Sequence, residues 1–295
     1  MGPSFSIVIP NYNSGAVIER AITSLLSQGY PHVQLIVADG GSSDVSREII
    51  EQYREHFDVV ISERDDGQAD GLNKGFARAH GAIFGWLCAD DELLPGALDH
   101  VAGLFENRPE VDLVTGSCER VFEDGSTCVT HPYPDAWERI GVHNVIEQPS
   151  TFWRAELHRK IGPLDTGYFL GFDWDFWARM RDVKAKIALT DRVLSRYYFS
   201  DSNKCGTAGD LFAKEAFQLI KKHGPARGWV AYIYRFIYHH FDLHGCFDNP
   251  PTCSDARYFF YKWTRRALGL ALGRRKLNMY NWHFASCQER GIKWY

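Results

Sequence analysis

Long apolar runs are missing from this chain. Nothing in it approaches the ~18 consecutive apolar residues that mark a bilayer-spanning helix, so no transmembrane segment is expected. There is no low-complexity tract and no repeat at a solenoid period, which excludes fibrous and repeat architectures. No pair of cysteines has CxxC spacing, and the seven cysteines are an odd number. That argues against a disulfide framework or a zinc ribbon. No signal peptide is legible before the first strand, so free thiols in a reducing cytoplasm are expected. Nor is there an excess of positive charge. At a net −4 the whole chain is no electrostatic match for nucleic acid.

What is present describes a large globular protein. A length of 295 residues suffices for one big core, or for a domain plus an extension. The 14% aromatic content, with nine tryptophans, is high. It suits a protein that handles rings or touches a membrane surface, and it equally suits a large core. Charge is unevenly spread. Between Arg257 and Gln288 stand seven basic residues and no acid, so one end is suited to an anionic partner.

The first hundred residues repeat one rhythm. "FSIVIP" is a short β-branched run, and Ile18, Ile22, Leu25 and Leu26 after it recur at helical spacing. "VQLIVAD", "DVVIS" and "AIFGWLCA" are three further strands, each followed by a helical pattern. The last of these helices runs from Pro95 to Glu106. Strands alternating with amphipathic helices predict βαβ units and a mostly parallel sheet. Ligands of such sheets bind beyond the carboxyl ends of the strands. There the chain places Asn11–Asn13, Asp39, Asp65–Asp66 and Asp90–Asp91. After Asp112 the pattern changes to a hairpin with "DG" at its turn, then a strand at "QPSTFW" and a helix near Asp175 to Arg181. "SRYYFSDSNK" reads as a loop. "GDLFAKEAFQLIKKHG" is a helix ending at Gly224, beyond a boundary near Gly206.

Several of these residues allow more than one reading. Asp39 and Asp44 would cap a helix through "GSSD", and Asp90 and Asp91 would do the same ahead of Pro95. Asp65 and Asp66 would be merely solvated, Lys74 paired with an acid, and the tryptophans of "GFDWDFWARM" core. Zinc on Cys88 is disfavoured, because no histidine or second cysteine lies close by in sequence.

Taken together, "SIVIPNYNSG", "VADGGSSD", "GLNKG", "GWLCADDELLPGAL" and "GFDWDFWARM" resemble a family 2 glycosyltransferase, in the family's order and spacing from about Ser4 to Met180. The resemblance implies an α/β GT-A fold, Rossmann-like, with a mostly parallel central sheet, flanking helices and a C-terminal helical extension. The expected division is a catalytic domain over 1–205 and an extension over 206–295. Within the first, a nucleotide-sugar half covers about 1–110 and an acceptor half about 111–205.

It also implies roles. Pro10, Asn11, Tyr12, Asn13, Asp39, Asp66, Lys74, Ala89 and Asp90 would border the nucleotide-sugar donor. Asp39 would accept a hydrogen bond from the nucleobase, a uracil N–H suiting a carboxylate. Asp90 would hold Mg²⁺ or Mn²⁺, with Asp91 as a neighbour or second ligand. A hard cation on the leaving diphosphate acts as a Lewis acid. The usual pattern has an acid two residues before Asp90. Here Cys88 stands there, and a thiol is a poor ligand for a hard ion. Asp173 would be the base that takes the acceptor's proton, while Gln148, Trp153, Trp174 and Trp177 would meet the acceptor. Tyr198 and Ser200 stand where the family commonly has an arginine- and histidine-containing loop, which leaves any phosphate-gripping role there unsupported.

The expected activity is inverting transfer of a sugar from a nucleotide diphosphate, UDP favoured, to a hydroxyl of a glycan or lipid-linked saccharide. A sugar nucleotidyltransferase is the runner-up, but "PNYNSG" has one glycine and no basic residue where that class needs a phosphate loop. A degenerate binder of nucleotide or glycan is the non-enzyme alternative. Around 257–276, Phe260, Trp263, Ala267 and Leu270 share a helical stripe with Lys262, Arg265 and Arg266 off it. That is how a helix on an anionic membrane would look, and equally a helix packed on the core. Peripheral attachment to the cytoplasmic face of a membrane would follow from the first reading.

Overall fold

Burial on both faces explains why the first strands read as unbroken apolar runs. The computed structural model describes residues 2–200, 204 and 210–232, together with 263, 266, 267 and 270. Its strands β1 (Phe5–Asn11), β2 (Val33–Asp39), β3 (Val59–Ser62) and β4 (Ile83–Trp86) pair in parallel in the order β3-β2-β1-β4. β1 is buried along its whole length and β2 along all but its first residue. Helices α1 (Ile18–Leu26), α2 (Ser46–Gln52) and α3 (Gln68–Phe76) make the connections. α1 buries Ile18, Ala21, Ile22 and Leu25, the stripe its sequence predicted. This is the expected βαβ half.

Beyond β4 the sheet becomes mixed. There follow β5 (Glu92–Leu93), α4 (Ala97–Asn107), β6 (Leu113–Val121), β7 (Thr127–Thr130), α5 (Ala136–Arg139), β8 (Thr151–Arg154), α6 (Ala155–Ile161), α7 (Phe172–Asp182) and β9 (Ile187–Tyr198). The order continues β4-β8-β6-β9-β5, with β7 on β6. β8 is antiparallel to β4 and β6, β5 antiparallel to β9, and β6 parallel to β9. The hairpin read around Asp124–Gly125 is β6–β7.

Three differences from the sequence reading bear on the site. "SRYY" is not loop but the end of β9, a strand only partly buried and therefore without a clear apolar signature. Its ladder to β6 shifts register between Gly116 and Ser117, where Asp191 and Arg192 are skipped. Asp90 and Asp91 do not cap α4: β5 intervenes, and the N-cap is Gly96 at φ 71°. Finally, α7 begins at Phe172, so Asp173 lies in its first turn.

The chain divides into two compact units, Met1–Pro134 with Ile146–Ser200, and Asp135–Val145 with Asp201–Tyr295. The second contains α5 and α8 (Asp210–His223), which stops before Gly224 as read. α8 buries Ala216, Leu219 and Ile220, and the Phe217 ring meets Tyr232 edge-on at 5.4 Å. The basic aromatic stretch 257–276 lies outside the described residues, apart from Trp263, Arg266, Ala267 and Leu270, which are helical and exposed. Among the described residues no helix is long and apolar enough to cross a membrane.

Candidate active site

Register builds the first part of the site. Asn11, Asp39 and Ser62 are opposite one another at the ends of β1, β2 and β3. Their side chains therefore meet: Asn11 Nδ2 donates to Asp39 Oδ1 at 2.8 Å, and Ser62 Oγ to Asp39 Oδ2 at 3.0 Å. Ser42 Oγ adds a third donor at 2.5 Å. Asp39 is thus a buried, multiply bonded carboxylate and not a helix cap. Asp44 has the cap-like role, bonded by the N–H and hydroxyl of Ser46 and by the Gly15 N–H at 2.7 Å. Although desolvation raises its pKa, those hydrogen bonds outweigh it and hold Asp44 below the usual carboxylate value.

The loops after β1 and β2 are sewn together. Asn13 N–H donates to Ser42 Oγ, and Ser43 N–H to Asn13 Oδ1, both at 2.8 Å. Asn13 takes a left-handed φ of 50°. Tyr12 is left 65% exposed at the strand end. Pro10 is tolerated inside β1 because alternate backbone groups there face β4. That strand's pairing ends opposite Val8, so no ladder bond needs a Pro10 N–H. Beside Asp39 opens a cavity of about 510 Å³, lined among others by Ser43, Asp44, Arg47, Glu48 and Ser62.

The third strand end sets its two acids apart. Asp66 is exposed, whereas Asp65 turns inward. A Cβ on Gly40 or Gly71 would sit 2.6 or 2.7 Å from Asp65 Oδ2, so glycine at both positions leaves room for that carboxylate. Desolvation raises the Asp65 pKa, with Asp70 and Asp39 adding to it and the Gly67 N–H and Lys74 opposing. Lys74 is engaged by Arg64 O at 2.8 Å, Glu63 at 3.1 Å and Asp70 at 3.3 Å. It shows the acid-paired arrangement.

The turn after β4 gathers Cys88, Asp90 and Asp91, whose ligand atoms all lie within 4.8 Å of one another. Ala89 between them is buried. Asp91 is the deeper acid, at 1% exposure, and its Oδ1 has no hydrogen-bond partner. Burial pushes its pKa well up, the neighbouring Asp90 pushes it further, and the Tyr198 N–H opposes. Burial also raises Asp90, against the pull of Arg20. Two adjacent desolvated carboxylates with an unbonded oxygen fit a divalent cation. Asp90 and Asp91 are the residues that would hold it.

Three residues that sequence reading did not place in the site support this turn. Arg20 donates to the Asp90 carbonyl at 2.6 Å and lies 3.5 Å over the Tyr198 ring. Tyr198 in turn donates its hydroxyl to Glu92 at 2.9 Å. Gln68 Nε2 donates to Cys88 Sγ at 3.2 Å. Arg20 and Asp90 are seventy residues apart, and no local pattern announces such a contact.

Asp173 is half-buried in the first turn of α7, where its Oδ1 accepts the Trp174 N–H at 2.6 Å. Trp86 ties that helix to the end of β4: its ring is 6.4 Å from Phe172 and stacks on Trp177 at 5.3 Å with planes 3° apart. Gln148 Nε2 donates to the Trp86 carbonyl at 2.7 Å and Gln148 Oε1 accepts from Cys88 at 3.3 Å. The tryptophans expected at the acceptor are buried in this structure. Trp153 and Trp177 are 0% exposed and Trp174 2%. Trp153 packs on Trp86, Phe176 and Trp177. In this structure none of the three presents a face to a sugar, because the core takes their apolar area.

Comparisons with known proteins bear on family and fold. The model of the family described as "Glycosyl transferase family 2" matches residues 6–174, over half of the chain. An uncharacterised glycosyltransferase of Nostoc sp. is 29% identical over 192 residues, which are 59% of this chain and 56% of that protein. Less than two thirds of that relative is therefore spanned. Among solved structures, the mannosyltransferase PcManGT of Pyrobaculum calidifontis, in complex with GDP-Man and Mn²⁺, superposes with TM-score 0.63 at 16% identity, over 98% of this chain and 86% of that one. S. aureus TarS 1-349 in complex with UDP-GlcNAc gives 0.60 at 16%, over 97% and 89%. At such identities the superpositions show a shared GT-A-like fold. The matched family, which covers more than half of the chain, places it in glycosyl transferase family 2.

Proposed function

We propose that the protein is an inverting transferase that moves one sugar from a nucleotide diphosphate to a hydroxyl of a glycan or lipid-linked saccharide. One observation carries the reading: the β4 turn pairs Asp90 with a buried Asp91 oxygen that has no protein partner, at the same sheet edge as the Asn11–Asp39–Ser62 cluster. An anion-bearing donor with its cation suits that edge.

Each residue then has a physical task. Asp39, fixed by its three donors, accepts a base N–H, and the exposed Tyr12 ring offers a face for stacking. UDP is favoured, in keeping with the UDP-GlcNAc held by TarS, while PcManGT carries GDP-Man. Asp65, not Asp66, borders the donor. A divalent ion at Asp90 and Asp91, Mg²⁺ or Mn²⁺, would neutralise the departing diphosphate. Asp173 takes the proton of the acceptor hydroxyl as that oxygen attacks the anomeric carbon. No covalent intermediate is needed, so the sugar inverts.

Asp173→Asn tests the assignment. The variant should keep donor affinity and lose roughly 10²–10⁴-fold in transfer rate, the usual contribution of a positioned base. Transfer within a fewfold of wild type would remove Asp173 from the reaction. Donor binding without turnover in the wild type would instead favour a binding protein.

A further inference from the structure

We propose that Cys88 gives the ion site of this chain a third, soft ligand, so that beside Mg²⁺ or Mn²⁺ it also takes zinc, cadmium or cobalt with the sulfur coordinated next to Asp90 and Asp91. The inference rests on the ion site proposed above and adds a soft ligand to it. Metal–sulfur and metal–oxygen bonds to such ions are about 2.0–2.3 Å. Ligands on opposite sides of one ion therefore stand at most about 4.6 Å apart. The sulfur and the two carboxylate oxygens already lie within 4.8 Å of one another, so little movement closes them on an ion.

The sulfur is also held in place. Gln148 is oriented by its Nε2 bond to the Trp86 carbonyl, which leaves Oε1 to accept the Cys88 S–H. Gln68 Nε2 donates to the same sulfur at 3.2 Å. On ion capture the thiol proton passes to solvent and a sulfur lone pair goes to the metal. The Gln68 N–H remains on the thiolate, which a donor favours. Within the cluster, the buried Asp91 Oδ1 has no hydrogen-bond partner, a need that a ligand ion would meet. Among the described residues no histidine or second cysteine joins it. It is thus no closed structural zinc site, and water or phosphate oxygens would complete the shell. Magnesium gains nothing from sulfur, whereas zinc, cadmium and cobalt do.

Cobalt titrated into the full chain, with and without UDP, tests this. Wild type should develop a near-ultraviolet sulfur-to-cobalt charge-transfer band. Cys88→Ser should lose the band and at least about tenfold in cobalt and zinc affinity, while its Mn²⁺ affinity, read by paramagnetic resonance, moves far less. Cys88→Ala, checked for an unchanged melting temperature, should lose the band as well. Cobalt bound without the band in wild type, or a band that survives in both variants, would overturn the proposal. If neither cobalt nor Mn²⁺ binds wild type, with or without UDP, the ion site itself fails and takes the proposal with it. That outcome is separate from Mn²⁺ binding with no sulfur signature.

Discussion

Asp91 has one carboxylate oxygen sealed from water with no donor facing it. An unmet polar atom at that depth costs on the order of 1–3 kcal/mol, so the turn is arranged for something other than stability. Arg20 limits the damage by holding the Asp90 carbonyl and stacking on Tyr198. Arg20→Met should therefore destabilise the protein by about 1–3 kcal/mol, from a lost charged hydrogen bond and a lost cation–π contact. It should also raise the Mn²⁺ concentration needed for activity. Urea denaturation and a metal titration of the initial rate check the two effects. If stability falls while the metal requirement stays put, Arg20 is only a structural brace.

At the scale of elements, the joint between β4 and α7 is aromatic. Trp86, Trp153, Phe176 and Trp177 pack with centroids 5.3–6.2 Å apart. Trp177→Ala should cost about 3–5 kcal/mol, read by urea denaturation. Trp177→Phe should lose less and leave the acceptor KM unchanged. A raised acceptor KM in the phenylalanine variant would return Trp177 to the sugar site. The same joint shows where sequence reading stops. β1 to β4 were legible because strands buried on both faces leave unbroken apolar runs, and their register follows from the βαβ path. β9 was not, because its middle, Thr190 to Arg192, is polar and bulged. Strand-end acids announced Asp39 and Asp90, but whether Asp65 or Asp66 faced inward depended on space beside Gly40 and Gly71. The tryptophans gave no sign of which side of α7 was core.

For the molecule as a whole, His158 sets a stability limit in acid. Burial, with Arg179 and Arg159 nearby, pushes its pKa from 6.5 down to about 4. The unfolded chain then binds a proton that the folded chain refuses between pH 6.5 and about 4. Stability is fully present above 6.5 and lost as pH falls through that window. The loss approaches an order-of-magnitude 3 kcal/mol. Denaturation profiles of wild type and His158→Phe should converge in slope above pH 6.5, with the variant flatter below. Equal slopes throughout would mean the imidazole is protonated in the fold. The central claim, that the β4 turn binds a donor diphosphate through a cation, has a more direct test. Thermal stabilisation by UDP or GDP, each with and without Mn²⁺, should be compared in wild type and Asp90→Ala. The account predicts that nucleotide and Mn²⁺ together stabilise wild type more than either alone, and that Asp90→Ala loses this synergy along with transfer. Equal stabilisation of both proteins, or none of wild type by any combination, would contradict it.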